Sequence, residues 1–195
     1  MVKIGINGFG RIGRLILRAL LENYKGKIQV VGINDLGSIE TNAHLIKYDS
    51  THGILNQDVK TTKDGFQIGD QNIKVFAERD PAKLPWGKVG ADVVLECTGF
   101  FLDKASAGKH IQAGAKKVII SAPAKEVDFT VVQGVNSKVL KKDHNIISNG
   151  SCTTNCLAPV AMVLEKNFGI THGYMTTIHS YTGDQKLLDT LHKDL

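Results

Sequence analysis

The chain has 195 residues, 42% of them hydrophobic and 22% charged, with four prolines, three cysteines and a net charge of +5. That apolar share excludes a disordered chain, and three cysteines exclude a disulfide scaffold. No apolar run approaches the roughly 20 residues of a membrane span, so no membrane association is expected.

The charge comes from 20 lysines spread along the chain against four arginines. Without a dense basic block or an aromatic platform, it reads as a solvated surface and not as a specific nucleic-acid site. Met1-Val2-Lys3 leads straight into a strand-like segment, without the zones of a secretory leader, and an odd number of thiols fits a reducing compartment. The expected localisation is cytoplasmic. The length allows one substantial domain, or one plus a small second unit.

In chain order, Val2–Asn7 reads as a short buried strand. Ile12, Leu15, Ile16, Ala19 and Leu20 then form one apolar helix stripe, with Arg14 and Arg18 off it. Ile28–Asn34 is a second strand, and strand, helix, strand in this order predicts a parallel βαβ unit. Thr41–Tyr48 reads as a helix. Asp58–Ala77 breaks into short β-prone pieces at Lys63-Asp64-Gly65 and Gly69-Asp70-Gln71-Asn72, the spacing of inserted antiparallel hairpins.

Asp92–Cys97 resumes the buried strands, and Asp103 is positioned to cap a helix reaching Ala113. Lys117–Ser121, Thr130–Gln133 and Asn145–Ser148 are further strand candidates. Thr153–Asn167 reads as a long helix with Leu157, Val160, Ala161 and Leu164 on one face, kinked or broken at Pro159. Ile170–Tyr181 reads as a strand, and Leu187–Leu195 is ambiguous. The expected fold class is α/β: a Rossmann-type, doubly wound, mostly parallel sheet over residues 1–150, followed by the start of a second α+β unit over residues 151–195.

Two segments carry chemistry. Gly8-Phe9-Gly10-Arg11-Ile12-Gly13 matches G-x-G-x-x-G between a strand and a helix. Gly8 serves the sharp turn, Gly10 close approach to a pyrophosphate and Gly13 tight helix–strand packing, while the helix N-terminus supplies N–H groups for the anion. Asp35 lies 22 residues beyond Gly13, near the distance of an acid that binds an adenosine ribose. A carboxylate there would repel a 2′-phosphate, which favours NAD over NADP.

The second segment is Ser148-Asn149-Gly150-Ser151-Cys152-Thr153-Thr154-Asn155-Cys156. Cys152 falls at a helix start, where a thiol pKa is lowered and an N–H faces a developing oxyanion. Cys156, one turn further on, is expected to be packed and inert. Two cysteines at i, i+4 without third and fourth ligands give no metal site. Spacing alone leaves Cys152 as a nucleophile or as an ordinary small hydrophobe. His179, in Thr176–Thr182, is the candidate base, placed on a strand face with Thr177 and Tyr181. His44, His52, His110, His144, His172 and His192 read as ordinary surface or core histidines.

Taken together, Ile6–Arg14, Gly32–Asp35, Lys47–Ser50, Glu96–Gly99, Ser121–Ala124, Ser151–Pro159 and Thr176–Thr182 resemble the phosphorylating glyceraldehyde-3-phosphate dehydrogenase family, most of all its bacterial glycolytic members. The resemblance implies Cys152 as nucleophile and His179 as the group that activates it. It also implies Arg11 and Ile12 at the pyrophosphate turn, Asp35 on the adenosine ribose, Arg79 near the adenine and Ser121 near the nicotinamide. Ser151, Thr153 and Thr182 resemble the residues that bind aldehyde and phosphate.

The implied activity is NAD-dependent oxidation and phosphorylation of glyceraldehyde 3-phosphate, with inorganic phosphate, through a cysteine thioester, in a homotetramer. Gly150 stands where the family usually has alanine. The chain ends well before the family's usual length, so the expected behaviour of this chain alone is NAD binding with little turnover. Erythrose-4-phosphate dehydrogenase is the enzyme alternative, and Ser180-Tyr181-Thr182 after His179 favours the glyceraldehyde enzyme.

Overall fold

The computed structural model describes residues 1–183 and 185, so the ambiguous segment Leu187–Leu195 and His192 lie outside the described residues. Eleven strands and six α-helical segments follow in chain order among these residues. They are β1 (Val2–Asn7), α1 (Arg11–Asn23), β2 (Ile28–Asn34), α2 (Ile39–Lys47), β3 (Tyr48–Asp49), β4 (Gly53–Ile54), β5 (Val59–Thr62), β6 (Gly65–Ile68) and β7 (Gln71–Phe76). Then come α3 (Trp86–Val89), β8 (Val93–Glu96), α4 (Lys104–Ala107), α5 (Lys109–Gln112), β9 (Lys117–Ile120), β10 (Phe129–Thr130), β11 (Ile146–Ser148) and α6 (Cys152–Phe168).

Nine strands form one sheet in the order β10-β11-β9-β8-β1-β2-β7-β6-β5. The pairings from β10 to β7 are parallel, and β6 and β5 extend the sheet as antiparallel hairpins. This is the expected Rossmann-type arrangement with inserted hairpins. β1 sits where the strand order reverses, with β2 on one side and β8 on the other, and a ligand crevice opens at the C-terminal ends of such strands. The interior follows the apolar runs: Ile4, Ile6, Val30 and Ile33 on β1 and β2 meet Leu17 and Leu21 of α1 and Ile46 of α2. On the other flank Trp86, fully buried, packs with Leu84, Val94 and Ala115.

The α1 stripe lies one residue round from its expected phase. Leu17, Leu20 and Leu21 are buried with Arg18, whereas Ile12 and Ala19 face solvent. Arg18 is drawn inward by carbonyls at the end of α2 and at the start of β4: its Nε and Nη2 donate to Ile46 O at 3.2 and 2.9 Å, and Nη2 to Lys47 O and Gly53 O at 3.1 and 3.0 Å. With Nη1 donating to His52 O at 3.5 Å, five bonds to carbonyls satisfy a guanidinium that hydropathy alone assigns to water.

Asp103 does cap, accepting from Ser106 N at 2.8 Å, but the expected helix to Ala113 divides at Gly108 into the single turns α4 and α5. The Thr130–Gln133 strand reduces to β10, of which it shares Thr130 alone. Pro159 does not break α6, which runs continuously for 17 residues.

Ile170–Tyr181 forms no strand. A lone extended segment has no partner for its N–H and C=O groups, and β-propensity expresses itself only against neighbours. α6 is in the same position: none of its residues is buried, and Leu157, Val160, Leu164 and Phe168 are 43–83% exposed.

Candidate active site

The crevice begins at the turn between β1 and α1. Gly8 has φ +90°, and a side chain there would lie 2.8 Å from Cys97 C and Thr98 N. Gly13 packs even closer, since a Cβ would stand 2.2 Å from the Gly8 carbonyl oxygen. Gly10 differs from both, because the space beside it is open to 4 Å. It is also the N-cap of α1 and brings no side-chain acceptor, so the first-turn N–H groups lack a side-chain cap. An open approach and uncapped donors at a helix N-terminus fit a pyrophosphate.

The turn is held from three directions. Arg14 donates from Nη1 to Phe9 O at 2.9 Å. Asp35, half-buried just after β2, accepts from Phe9 N and Gly37 N at 2.9 Å each, one on each carboxylate oxygen. Each oxygen retains a lone pair, which fits a ribose diol as well. Arg11 projects from the helix start and pairs with Asp49 of the β3–β4 hairpin, with Nη2 at 3.3 Å from His52 Nδ1. Asp49 is held below the usual carboxylate range by the backbone N–H of His52 first, then by Thr51 N–H and Arg11.

The other expected cofactor residues are distributed along the same crevice edge. Ile12 is exposed on the first turn of α1, and Arg79 is exposed after β7. Ser121, just past β9, donates its N–H to Glu96 O at 3.0 Å. Beneath them lies a buried polar cluster that sequence patterning missed: Asn7, Asn34, Glu96 and His110, all under 7% exposed. Glu96 closes an otherwise apolar strand, and that is the one sequence signal available for it.

The second centre is at the start of α6. Ser151 is the N-cap, its Oγ accepting from Thr154 N at 2.9 Å. Asn155 Nδ2 donates to Asn149 O and Ser151 O at 2.6 and 2.9 Å, which ties the preceding turn to the helix. Gly150 carries φ +69° in that turn, a left-handed conformation for which glycine is the least strained residue. Cys152 is therefore the first residue of the helix, exposed, with its Sγ 3.0 Å from His179 Nε2.

His179 Nδ1 donates to the Ser180 carbonyl, so the ring's other nitrogen is left to face the thiol. The hydrogen bond from His179 holds the Cys152 pKa below its ordinary value, helped by Thr153 N–H; reciprocally, the Cys152 contact raises that of His179. Cys97 is the contrast, pushed up to about 12 by burial.

Two expectations are corrected here. His179 meets its partner from irregular chain and not from a strand face, and Cys156 is exposed instead of packed, because nothing among the described residues covers α6. Thr182 lies three residues past His179 and closes a turn in which Gln185 N donates to its carbonyl at 3.0 Å and its own N–H donates to Gln185 Oε1 at 2.9 Å. No group of three or more potential metal ligands occurs among the described residues.

Residues 2–104 match the family model described as glyceraldehyde 3-phosphate dehydrogenase, NAD binding domain. The chain belongs to the glyceraldehyde 3-phosphate dehydrogenase family. Residues 151–195 match the C-terminal domain of the same family, so the Cys152–His179 pair falls within that match. Proteins named glyceraldehyde-3-phosphate dehydrogenase from Xanthobacter flavus and Streptomyces coelicolor are 56% and 55% identical over 194 and 195 residues, covering 100% of this chain. Glyceraldehyde-3-phosphate dehydrogenase 1 of Bacillus subtilis is 56% identical over 99% of it. The chain spans 58%, 58% and 57% of the length of these three relatives. The family's NAD-binding domain thus coincides with the uncapped glycine turn and Asp35.

Proposed function

We propose that the protein oxidises and phosphorylates glyceraldehyde 3-phosphate, using NAD and inorganic phosphate, through a thioester on Cys152. The observation that carries this reading is the 3.0 Å contact between Cys152 Sγ and His179 Nε2 at the start of α6.

Fixed by its bond to Ser180 O, His179 takes the thiol proton at Nε2, and the thiolate attacks the aldehyde carbon. The oxyanion that forms accepts hydrogen bonds from the α6 N-terminus and from His179, which then returns its proton to give the hemithioacetal hydroxyl. His179 removes that proton again as the carbon is oxidised to a thioester. NAD, when bound, supplies the hydride acceptor. Phosphate attack expels Cys152 as thiolate and releases an acyl phosphate.

In this reading Gly8, Gly10, Gly13, Arg11 and Ile12 receive the pyrophosphate, and Asp35 takes the adenosine ribose. Arg79 lies by the adenine and Ser121 by the nicotinamide, while Ser151, Thr153 and Thr182 hold the aldehyde and phosphate groups. Residues 1–150 act as the nucleotide domain and residues 151–195 as the opening of the catalytic domain. The whole protein works in the cytoplasm as a homotetramer.

The test is NADH formation by the full-length protein with glyceraldehyde 3-phosphate, with and without phosphate, compared with erythrose 4-phosphate. Phosphate-dependent turnover that prefers the three-carbon aldehyde supports the reading, and preference for the four-carbon aldehyde overturns it. A second reading concerns the 195-residue chain by itself. The uncovered apolar residues of α6 favour an NAD-binding fragment without a competent substrate pocket, so this chain binds NAD and turns over little.

A further inference from the structure

Glu96 ends β8 at the floor of the crevice and is 1% exposed, with its side chain fully buried. Both of its carboxylate oxygens are occupied. Oε1 accepts from Thr98 N at 2.7 Å and from the Thr98 hydroxyl. Oε2 accepts from Asn7 Nδ2 at 2.6 Å and faces His110 Nε2 at 2.9 Å. The indole N–H of Trp86 donates to His110 Nδ1 at 2.9 Å, and an indole can only donate. Nδ1 is therefore the acceptor, Nε2 carries the ring proton, and Glu96 receives it. By the same logic, the 3.4 Å approach of Asn7 Nδ2 to His110 Nε2 sets two donors side by side and is no hydrogen bond.

This carboxylate reaches every wall of the nucleotide turn. Asn7 is the residue before Gly8, and its Oδ1 accepts from Asn34 Nδ2 at 2.7 Å. Asn34 precedes Asp35, and it exchanges hydrogen bonds of 2.8 Å with the backbone of Glu78. On the opposite wall, the Thr98 backbone that Glu96 holds is the one lying against Gly8. The ends of β1, β2 and β8 are thus referenced to one buried side chain, and no lysine or arginine touches it among the bonds described.

We propose that Glu96 is a positioning residue of the dinucleotide site, setting the distance between the Gly8 turn and the Thr98 turn that the cofactor must fit. The proposal rests on the NAD-binding reading above. Glu96→Gln keeps an oxygen for Thr98 but puts an NH2 group opposite Asn7 Nδ2 and His110 Nε2, two donors with nothing left to accept. Adding Asn7→Asp reverses the polarity of that pair. The amide introduced at position 96 then donates to the carboxylate introduced at position 7. The same carboxylate oxygen comes within reach of His110 Nε2–H, while the other still serves Asn34. Trp86→Phe breaks only the far end of the chain of bonds, in the core.

The experiment is calorimetric NAD binding to the purified protein and these three variants, with thermal unfolding of each. NAD Kd rises about tenfold or more in Glu96→Gln and recovers most of that in the Asn7→Asp/Glu96→Gln protein. Trp86→Phe lowers Tm and leaves Kd within about twofold of the parent. An unchanged Kd in Glu96→Gln overturns the proposal, as does a Kd that worsens in Trp86→Phe in step with its Tm. If Glu96→Gln does not fold, the double variant decides: parental NAD binding supports the positioning role, and weak binding in a folded double variant ends it. A parent protein that binds no NAD removes the cofactor reading itself, and the proposal with it.

Discussion

Replacing Gly13 by alanine would put a methyl carbon 2.2 Å from the Gly8 carbonyl oxygen and 3.2 Å from Ile6 Cγ2. Helix propensity alone favours the change by up to about 1 kcal/mol. The steric cost runs the other way. The offended atom is backbone, in a residue with φ +90° that is itself wedged against Cys97 and Thr98, so neither partner can rotate aside. Relief requires the start of α1 to back away from the turn, an overpacking strain of about 1–3 kcal/mol. Set against propensity, the clash leaves a net loss of up to about 2 kcal/mol in urea unfolding. The displaced α1 N–H groups should also weaken NAD by about tenfold for each 1.4 kcal/mol lost at the pyrophosphate. A Gly13→Ala protein as stable as the parent, with undiminished NAD affinity by calorimetry, would refute the packing argument.

Arg18→Met leaves the Ile46 carbonyl without its donor and removes bonds to Lys47 O and Gly53 O, and should cost about 1–3 kcal/mol by urea unfolding; an unchanged stability would contradict the buried role. Gly150→Ala meets no atom closer than 3.6 Å, so only its φ of +69° is penalised, and the expected loss is about 1–2 kcal/mol with Cys152 still reactive. A stabilised Gly150→Ala would show that the turn has another conformation. Cys152 alkylation should follow the lowered thiol pKa: reactivity persists below the ordinary thiol range and fades as pH falls through the lowered value. His179→Gln removes the main cause of that shift, so the fade moves to higher pH, while Cys97, pushed up to about 12, stays unreacted throughout. Superimposable pH profiles for parent and His179→Gln would break the pairing.

The parallel βαβ start, the hairpins and the glycine turn are legible in the sequence because local patterning and the tertiary structure agree there. The spacing of Gly8, Gly10 and Gly13 marks the turn, and the distance along the chain picks out Asp35, which accepts from Phe9 N in that turn. Arg18 is illegible for a physical reason: its burial depends on carbonyls 28 to 35 residues away, which periodicity does not register. Asn7, Asn34, Glu96 and His110 share that difficulty, since each satisfies the others from a different strand or helix. Ile170–Tyr181 shows the converse failure. Its β-prone residues signal a strand, yet a strand needs a neighbour, and none pairs with it among the described residues. Cys152 and His179 stand out by residue type and context, but only the fold brings them to 3.0 Å across 27 residues of chain.

The thioester itself offers the most direct test. The full-length protein, mixed with NAD and glyceraldehyde 3-phosphate in phosphate-free buffer, should release about one equivalent of NADH per site and gain the mass of the acyl group, mapped to Cys152 by peptide mass spectrometry. Added phosphate should discharge that adduct and restore turnover. Steady turnover without phosphate, or an adduct on any residue other than Cys152, would contradict the account.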